Sequence, residues 1–434
     1  MLIQFSVTNY RSIRERQTLS LVAGSGKELP QNKFALDRDK LSLLHSVAIY
    51  GGNATGKSNL LTAMKFAGGF VTSSAKDKQK GEPIEVEPFL LSAAFEKAAS
   101  EFEFIFVQDG IRYQYGFSAT KERVTEEYLF AFKTTHAQTW FHRIWNETSS
   151  SYDWTPFSKY LKGNLATIKQ VTRDNALFVS TSVLMNNEAL SPVVQWFQKT
   201  LAVVRMHALS RSFSIKQIEA SNENKNKIIQ LLQVADLEIH DINIQSNPVI
   251  KEDLPIKMSE ALKSVLSESL KIDNVRNEVF FLHRHNDGGD KVPIDFKDES
   301  RGTKALFSAA GPVFDVLEKG KVLAIDEIDS SLHPLLVRFI IGLFHNAETN
   351  PNNAQLIFVT HDVTQLDSDL LRRDQVWLVE KDAQQSTTLH SLSDYSPRKQ
   401  ESLQKGYLHG RYGGLPNVGH LNMPILRRSD TNGQ

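Results

Sequence analysis

Eight residues, Gly51–Ser58 (GGNATGKS), carry the spacing G-x-x-x-x-G-K-[ST] that cradles phosphate. Glycines let successive backbone N–H groups curl around a β-phosphate, and the start of a helix adds partial positive charge there. On this reading Gly51, Asn53, Ala54, Thr55, Gly56 and Asn59 form and border an ATP-binding loop. Lys57 reaches the β- and γ-phosphates as a point charge, and Ser58 sets its hydroxyl on Mg²⁺. The plainer alternative is a glycine turn that happens to precede a helix.

Further along, Lys321–Asp329 reads KVLAIDEID, an apolar run that ends in Asp326 and Glu327. In an open α/β sheet, ligands sit at the carboxyl ends of strands. Asp326 is therefore a metal ligand candidate, and Glu327 is a candidate to orient the attacking water. An acidic turn capping a helix is the alternative, with Ser330 or Ser331 as N-cap of a helix over Leu335–Phe344. A second apolar run, Gln355–Thr360, ends at His361, which at that strand end can hydrogen-bond the γ-phosphate or the water. Upstream, ESRGTK at Glu299–Lys304 precedes a helical pattern over Ala305–Leu317. Ser300 and Gly302 make that helix start a second anion-binding element.

These residues need strands and helices to hold them. Ser46–Tyr50 reads as a buried strand before the loop, and Asn59–Phe66 as the helix after it. Leu2–Val7 alternates as an opening strand, and Asn9–Ile13 turns polar, with Arg11 set to face the nucleotide or cap the loop. AGSGK at Ala23–Lys27 mimics a phosphate loop but leads into no helix. Thr72–Glu82 is polar and reads as a surface loop. Phe102, Phe104 and Phe106, an Asp109-Gly110 turn, then Ile111, Tyr113, Tyr115 and Phe117 predict a hairpin with one aromatic face. Aromatics at strand spacing point to core packing, and residues 84–147 are expected to form an antiparallel β layer.

Ser191–Val204, Asn222–Val234 and Lys257–Ile272 have helical periodicity, with a strand expected at Glu238–Gln245. Arg205, His207, Arg211 and Lys216 form a modest basic cluster, which usually means a wetted face. The expected domains are 1–149, an N-terminal ATPase half with its β lobe; 150–289, a mainly helical insertion for partner or oligomer contacts; 290–395, the C-terminal ATPase half; and 396–434, a tail.

The chain has 434 residues, 41% hydrophobic and 23% charged, ordinary for a globular protein. Lys+Arg and Asp+Glu both count 50, so no global charge argues for nucleic acid. Cysteine is absent, which removes disulfides, thiolate chemistry and Cys-ligated zinc and suits a reducing cytosol. No apolar stretch approaches a membrane span, and the N-terminus lacks a signal-peptide pattern, so a cytoplasmic location is expected.

With these elements in order, the chain resembles an ABC-type ATPase of the SMC and RecF kind. The matching motifs are Asn9–Ser12, the loop Gly51–Ser58, Ser300–Gly302, the pair Asp326–Glu327, the SSLHP at Ser330–Pro334, and His361. The resemblance implies an α/β P-loop NTPase fold of ABC ATPase type with an antiparallel β lobe. It places Asn9 and Arg11 at the nucleotide, Glu327 and His361 in catalysis, and Ser58 and Asp326 on Mg²⁺. Ser300 and Gly302 would serve the ATP of a partner copy, so the chain would act as at least a dimer. The signature reads SRGTK, so only Ser300 and Gly302 carry over, and no residue is assigned to the family's Q-loop glutamine. Within that superfamily the chain resembles AAA-type ATP-binding proteins of bacterial anti-phage and restriction-linked operons, such as RloA and AriA. PFLL at 88–91, YQYGF at 113–117 and GYLHGRYGGLP at 406–416 carry that closer likeness. It implies a separately encoded effector, a Toprim-like nuclease or a toxin, with nucleic acid open as a further partner and no membrane. A RecF-like repair role is the alternative. The C-terminal motif either docks a partner or packs back on the ATPase.

Overall fold

The computed structural model describes residues 1–36, 39–134, 136–235, 238–248, 275–285, 289, 291–395 and 402–415. The chain opens with β1 (Leu2–Thr8) and β2 (Gln17–Ser20), then a small hairpin of β3 (Lys33–Leu36) and β4 (Leu41–Leu44). It enters β5 (Ser46–Gly51) and the long helix α1 (Lys57–Asp77). A short α2 (Ala93–Lys97) leads to β6 (Ser100–Gln108), β7 (Ile111–Ala119), β8 (Val124–Phe132), β9 (Gln138–Asn146) and β10 (Ser151–Trp154). Next come α3 (Leu165–Val171), α4 (Phe178–Leu184), α5 (Ser191–Gln195) and β11 (Leu201–Arg205). Then follow α6 (Arg211–Ala220), α7 (Asn222–Val234), β12 (Ile239–Pro248), β13 (Val275–His283) and β14 (Val292–Asp295). The last part holds α8 (Arg301–Lys319), β15 (Val322–Asp326), α9 (Pro334–His345), β16 (Gln355–Val359), β17 (Val376–Lys381), β18 (Thr387–Ser391) and α10 (Leu403–Leu408).

Two sheets organise the molecule. The central sheet runs β11-β15-β16-β5-β17-β18 and is parallel except for β18. Its inner strands β5, β15 and β16 are buried at every position, as continuous apolar runs in a parallel sheet must be. The second sheet is antiparallel, in the order β10-β9-β8-β7-β6-β1-β2. Helix α1 lies at the junction, with Leu60, Leu61, Met64, Ala67, Phe70 and Val71 buried in one core with Phe102, Phe104 and Phe117. Ring contacts at 5.2 Å (Phe66–Phe102) and 5.5 Å (Phe70–Phe117) lock the helix to the lobe. A second core on the other side of the central sheet gathers α6, α7, α8 and α9. This is the α/β P-loop NTPase fold of ABC type, with its antiparallel lobe.

The hairpin at Asp109-Gly110 has both residues at positive φ, 50° and 69°, as the tightest hairpin turns require. The aromatic stripes on β6 and β7 are buried, so they serve packing.

Several local readings need correction. Thr72–Asp77 is helix, because α4 packs over it. Ser74 Oγ accepts from Leu177 N–H (3.1 Å), and Ser180 Oγ accepts from Ala75 N–H (3.1 Å). Tertiary bonds thus carry a polar stretch into the helix. The β layer starts at Ser100, extends to Trp154, and takes in β1 and β2. The helical pattern of Ser191–Val204 stops at a π-turn over Trp196–Thr200. Leu201–Arg205 then runs as an edge strand parallel to β15, where a β-branched run fits a pleated surface. Part of the segment 150–289 therefore belongs to the central sheet. Helix α7 and strand β12 lie where the sequence places them. Lys257–Ile272 lies outside the described residues. Helix α9 is N-capped by His333, whose Nδ1 accepts from Leu335 N–H (3.3 Å), not by Ser330 or Ser331. The motif at 406–415 packs back on the ATPase: Tyr407 OH donates to Gly414 O (2.8 Å), and its ring stands 5.9 Å from Tyr50.

Candidate functional site

The phosphate loop joins β5 to α1. Ala54 (φ 61°) and Gly56 (φ 107°) take the left-handed turns that curl it. Thr55 Oγ1 donates to Gly52 O (2.9 Å) and closes it, leaving Asn53 and Ala54 exposed at the tip. The outer wall is fixed by a chain of short bonds: Asn59 Nδ2 to Ser12 Oγ (2.7 Å), Ser12 Oγ to Thr387 Oγ1 (2.7 Å), and Thr387 Oγ1 to Thr55 O (2.7 Å). Asn59 thus acts here through Ser12. Gly56 tolerates no side chain, since a Cβ would fall 2.1 Å from Thr387 Oγ1.

Lys57 is buried and donates to Gly51 O (2.8 Å) and Gly52 O (2.7 Å). Burial pushes its ammonium down to about 8, against the pull of Asp326, Asp329 and Glu327. The Ser58 hydroxyl donates to Asp326 Oδ1 at 3.0 Å. One hydroxyl and one carboxylate, both hard oxygens, suit Mg²⁺, which takes few protein ligands and keeps its remaining places for water and phosphate. Ser58 and Asp326 would hold it. Among the described residues no group of three or more His, Asp or Glu is arranged as a metal site.

Three adjacent strands of the central sheet end at this loop. β15 ends in the nearly buried Asp326 and the half-exposed Glu327, whose φ is 55°. A non-glycine residue at that φ is strained, and such strain gathers at functional sites. β16 ends at His361, whose N–H donates to Asp329 Oδ2 (3.4 Å). Partial burial, then the charge of Lys57, pushes the His361 imidazole below its ordinary value, so it is neutral at pH 7. Asp329 Oδ1 is buried with no hydrogen-bond partner. Asp329 is a site residue that the assignment of the acidic pair alone passed over.

The third strand is β11. Arg205 stands in register with Asp326, its Nε 3.7 Å from Asp326 Oδ2. His207 Nδ1 stands 3.7 Å from Glu327 Oε2. Both come from the basic cluster read as a wetted face. The signal for them was the apolar run Leu201–Val204 ending in a basic residue, the same form as the runs that end at Asp326 and His361.

The side chain of Asn9 is turned into the protein. It is buried, its amide donates to the carbonyls of Phe95 (2.7 Å), Ala98 (3.0 Å) and Ala99 (3.3 Å), and its Oδ1 accepts from Phe89 N–H (2.9 Å). Its full bonding capacity goes to bracing the loop 89–99. Arg11 does line the cleft with Arg205 and Asp326, but its guanidinium is held by both oxygens of Glu87 (2.8 and 3.0 Å). Ser300 N-caps α8, accepting from Thr303 N–H (3.1 Å), and a Cβ on Gly302 would meet Ser331 O at 3.2 Å. They sit beside the loop after the acidic pair, with no hydrogen bond to the chain's own phosphate loop among the described residues. The decoy at Ala23–Lys27 surrounds a cation: Arg372 donates to the carbonyls of Gly26 (3.2 Å) and Glu28.

No curated protein is detectably similar in sequence to the chain. Among solved structures, the SMC head domain from Thermotoga maritima is 12% identical, covering 90% of this chain and 98% of that one, at a TM-score of 0.38. An SMC head bound to the C-terminal winged-helix domain of ScpA is 13% identical, covering 90% and 97%, at 0.40. The recombination mediator RecF with ATP, of the RecFOR pathway, is 15% identical, covering 83% and 93%, at 0.33. Scores this low carry no argument of their own. A family model described as "AAA domain, putative AbiEii toxin, Type IV TA system" matches residues 46–368, and the chain belongs to that family.

Proposed function

We propose that the chain is an ATP-hydrolysing regulator in a bacterial anti-phage defence pair, where its nucleotide site sets the state of a separately encoded effector. One observation carries the hydrolytic reading: Ser58, on the phosphate loop, and Asp326, at the end of β15, meet at 3.0 Å, with Lys57, Glu327 and His361 near enough to interact electrostatically. Backbone amides of the loop and the start of α1 hold the phosphates, and Lys57 moves its charge from two carbonyls onto them. Bound Mg²⁺ would neutralise charge on the β- and γ-phosphates. Glu327 orients the water, and neutral His361 offers a hydrogen bond at the γ-phosphate.

The family description, a putative toxin of a type IV toxin–antitoxin system, supports the defence setting. The placement of Ser300 and Gly302 away from the chain's own loop supports ATP shared between two copies. Helices α6 and α7 with the β12–β14 sheet are the proposed contact face for a partner. No helix among the described residues is long and apolar enough to cross a membrane.

The test is affinity capture from the native host with the tagged Glu327→Gln variant, which binds ATP without consuming it. A stoichiometric nuclease or toxin supports the reading. Replication and recombination factors in its place would assign the chain to DNA maintenance and overturn it.

A further inference from the structure

The end of β11 was read from sequence as solvated surface. In the structure it flanks the acidic pair. β11, β15 and β16 are neighbours, and their carboxyl ends present Arg205 and His207, then Asp326 and Glu327, then His361. Glu327 is thus bordered by one histidine from each adjacent strand. Met206, between Arg205 and His207, is 2% exposed and anchors the turn in the core under α6 and α8. With Met206 turned inward, the residues on either side of it face out together, on the side of the acidic pair. Arg205 confirms the alignment by reaching Asp326 at 3.7 Å.

The φ of Glu327, 55°, fixes the backbone, but its side chain is half exposed and accepts no hydrogen bond from the backbone of the described residues. Among the described residues the nearest basic group to it is His207 Nδ1, at 3.7 Å. That is longer than a hydrogen bond, and catalytic contacts are often loose until nucleotide closes the site.

We infer that His207 is a positioning residue for hydrolysis: from the end of β11 it holds the carboxylate of Glu327 in the orientation that directs the attacking water. The inference rests on the hydrolytic reading above.

The test uses the full chain with ATP and Mg²⁺. His207→Ala should lower kcat about 10- to 100-fold, the worth of one hydrogen bond to a charged group. ATP affinity, read by equilibrium binding, should change less than about threefold, because His207 does not touch the loop. His207→Gln, which keeps a donor, should recover most of kcat. In a Glu327→Gln background, His207→Ala should have no further effect on single-turnover hydrolysis, since the group it orients is gone. An unchanged kcat in His207→Ala, or a loss that repeats in full in the Glu327→Gln background, would overturn the inference. A wild-type chain that hydrolyses no ATP would fail the hydrolytic reading instead.

Discussion

Ser58 Oγ and Asp326 Oδ1 stand 3.0 Å apart across 268 residues of chain. The first starts the helix after the phosphate loop, and the second ends a strand two places away in the central sheet. Their contact ties the two halves of the site together and sets where the other reacting groups must lie.

Lys57 holds two loop carbonyls in the structure and is the only ammonium buried at the site among the described residues. Lys57→Ala should weaken ATP binding by about 10²- to 10⁴-fold, the worth of one or two charge-assisted hydrogen bonds, and abolish turnover. Titration with a fluorescent ATP analogue reads this. Affinity within threefold of wild type would argue against the loop assignment.

Gly56 combines a φ of 107° with a Cβ position 2.1 Å from Thr387 Oγ1 and 2.6 Å from Ser12 Oγ. Gly56→Ala should cost roughly 1–3 kcal/mol in local strain and displace the Ser12–Thr387 link that walls the loop. ATP binding should fall by tenfold or more, while thermal unfolding shifts only modestly. An unperturbed affinity would show that the loop does not need this conformation.

Glu127 and Arg143 form a buried ion pair in the β lobe, at 2.7 Å. Glu127 also accepts from Tyr115 OH (3.0 Å) and from the amides of Phe178 (2.7 Å) and Val179 (3.0 Å) at the start of α4. Glu127→Ala leaves Arg143 buried and unpaired and should cost about 3–5 kcal/mol in denaturant unfolding. Replacing the pair together, as Glu127→Leu with Arg143→Met, should recover part of that loss. A single variant within 1 kcal/mol of wild type would refute the role.

His345 is buried below β5, where Ser46 Oγ lies at 2.8 Å and Gln375 Nε2 at 3.3 Å. Burial pushes its imidazole down to about 3 from 6.5. Between those values the unfolded chain takes up a proton that the folded chain refuses, so stability falls as pH drops below 6.5. This one group should cost about 2 kcal/mol between pH 7 and pH 5. Denaturant midpoints at both values, compared with His345→Gln, measure it. Equal acid sensitivity in the two proteins would contradict the assignment.

Much of this site was legible because its chemistry is local. The strand, the loop and the helix follow one another without a break over Ser46–Asp77, and the glycine spacing marks the loop. Asp326, Glu327 and His361 were legible because apolar strands end on them. The packing of Asn9 was not legible, because its four side-chain hydrogen bonds reach residues 80 to 90 positions away, which no local pattern shows. The end of α1 was lost because α4 makes polar residues helical. Arg205 and His207 were passed over because β11 continues a helical pattern in sequence, and only its pairing with β15 turns a basic cluster toward the acidic pair.

The most direct test of the account is phosphate release from ATP by the purified chain beside its Glu327→Gln variant, with ATP binding measured on both. The account predicts magnesium-dependent turnover by the wild type, a fall of about 10²- to 10⁴-fold in the variant, and ATP affinity unchanged within about threefold. Turnover that survives the substitution would place hydrolysis elsewhere and contradict the site described.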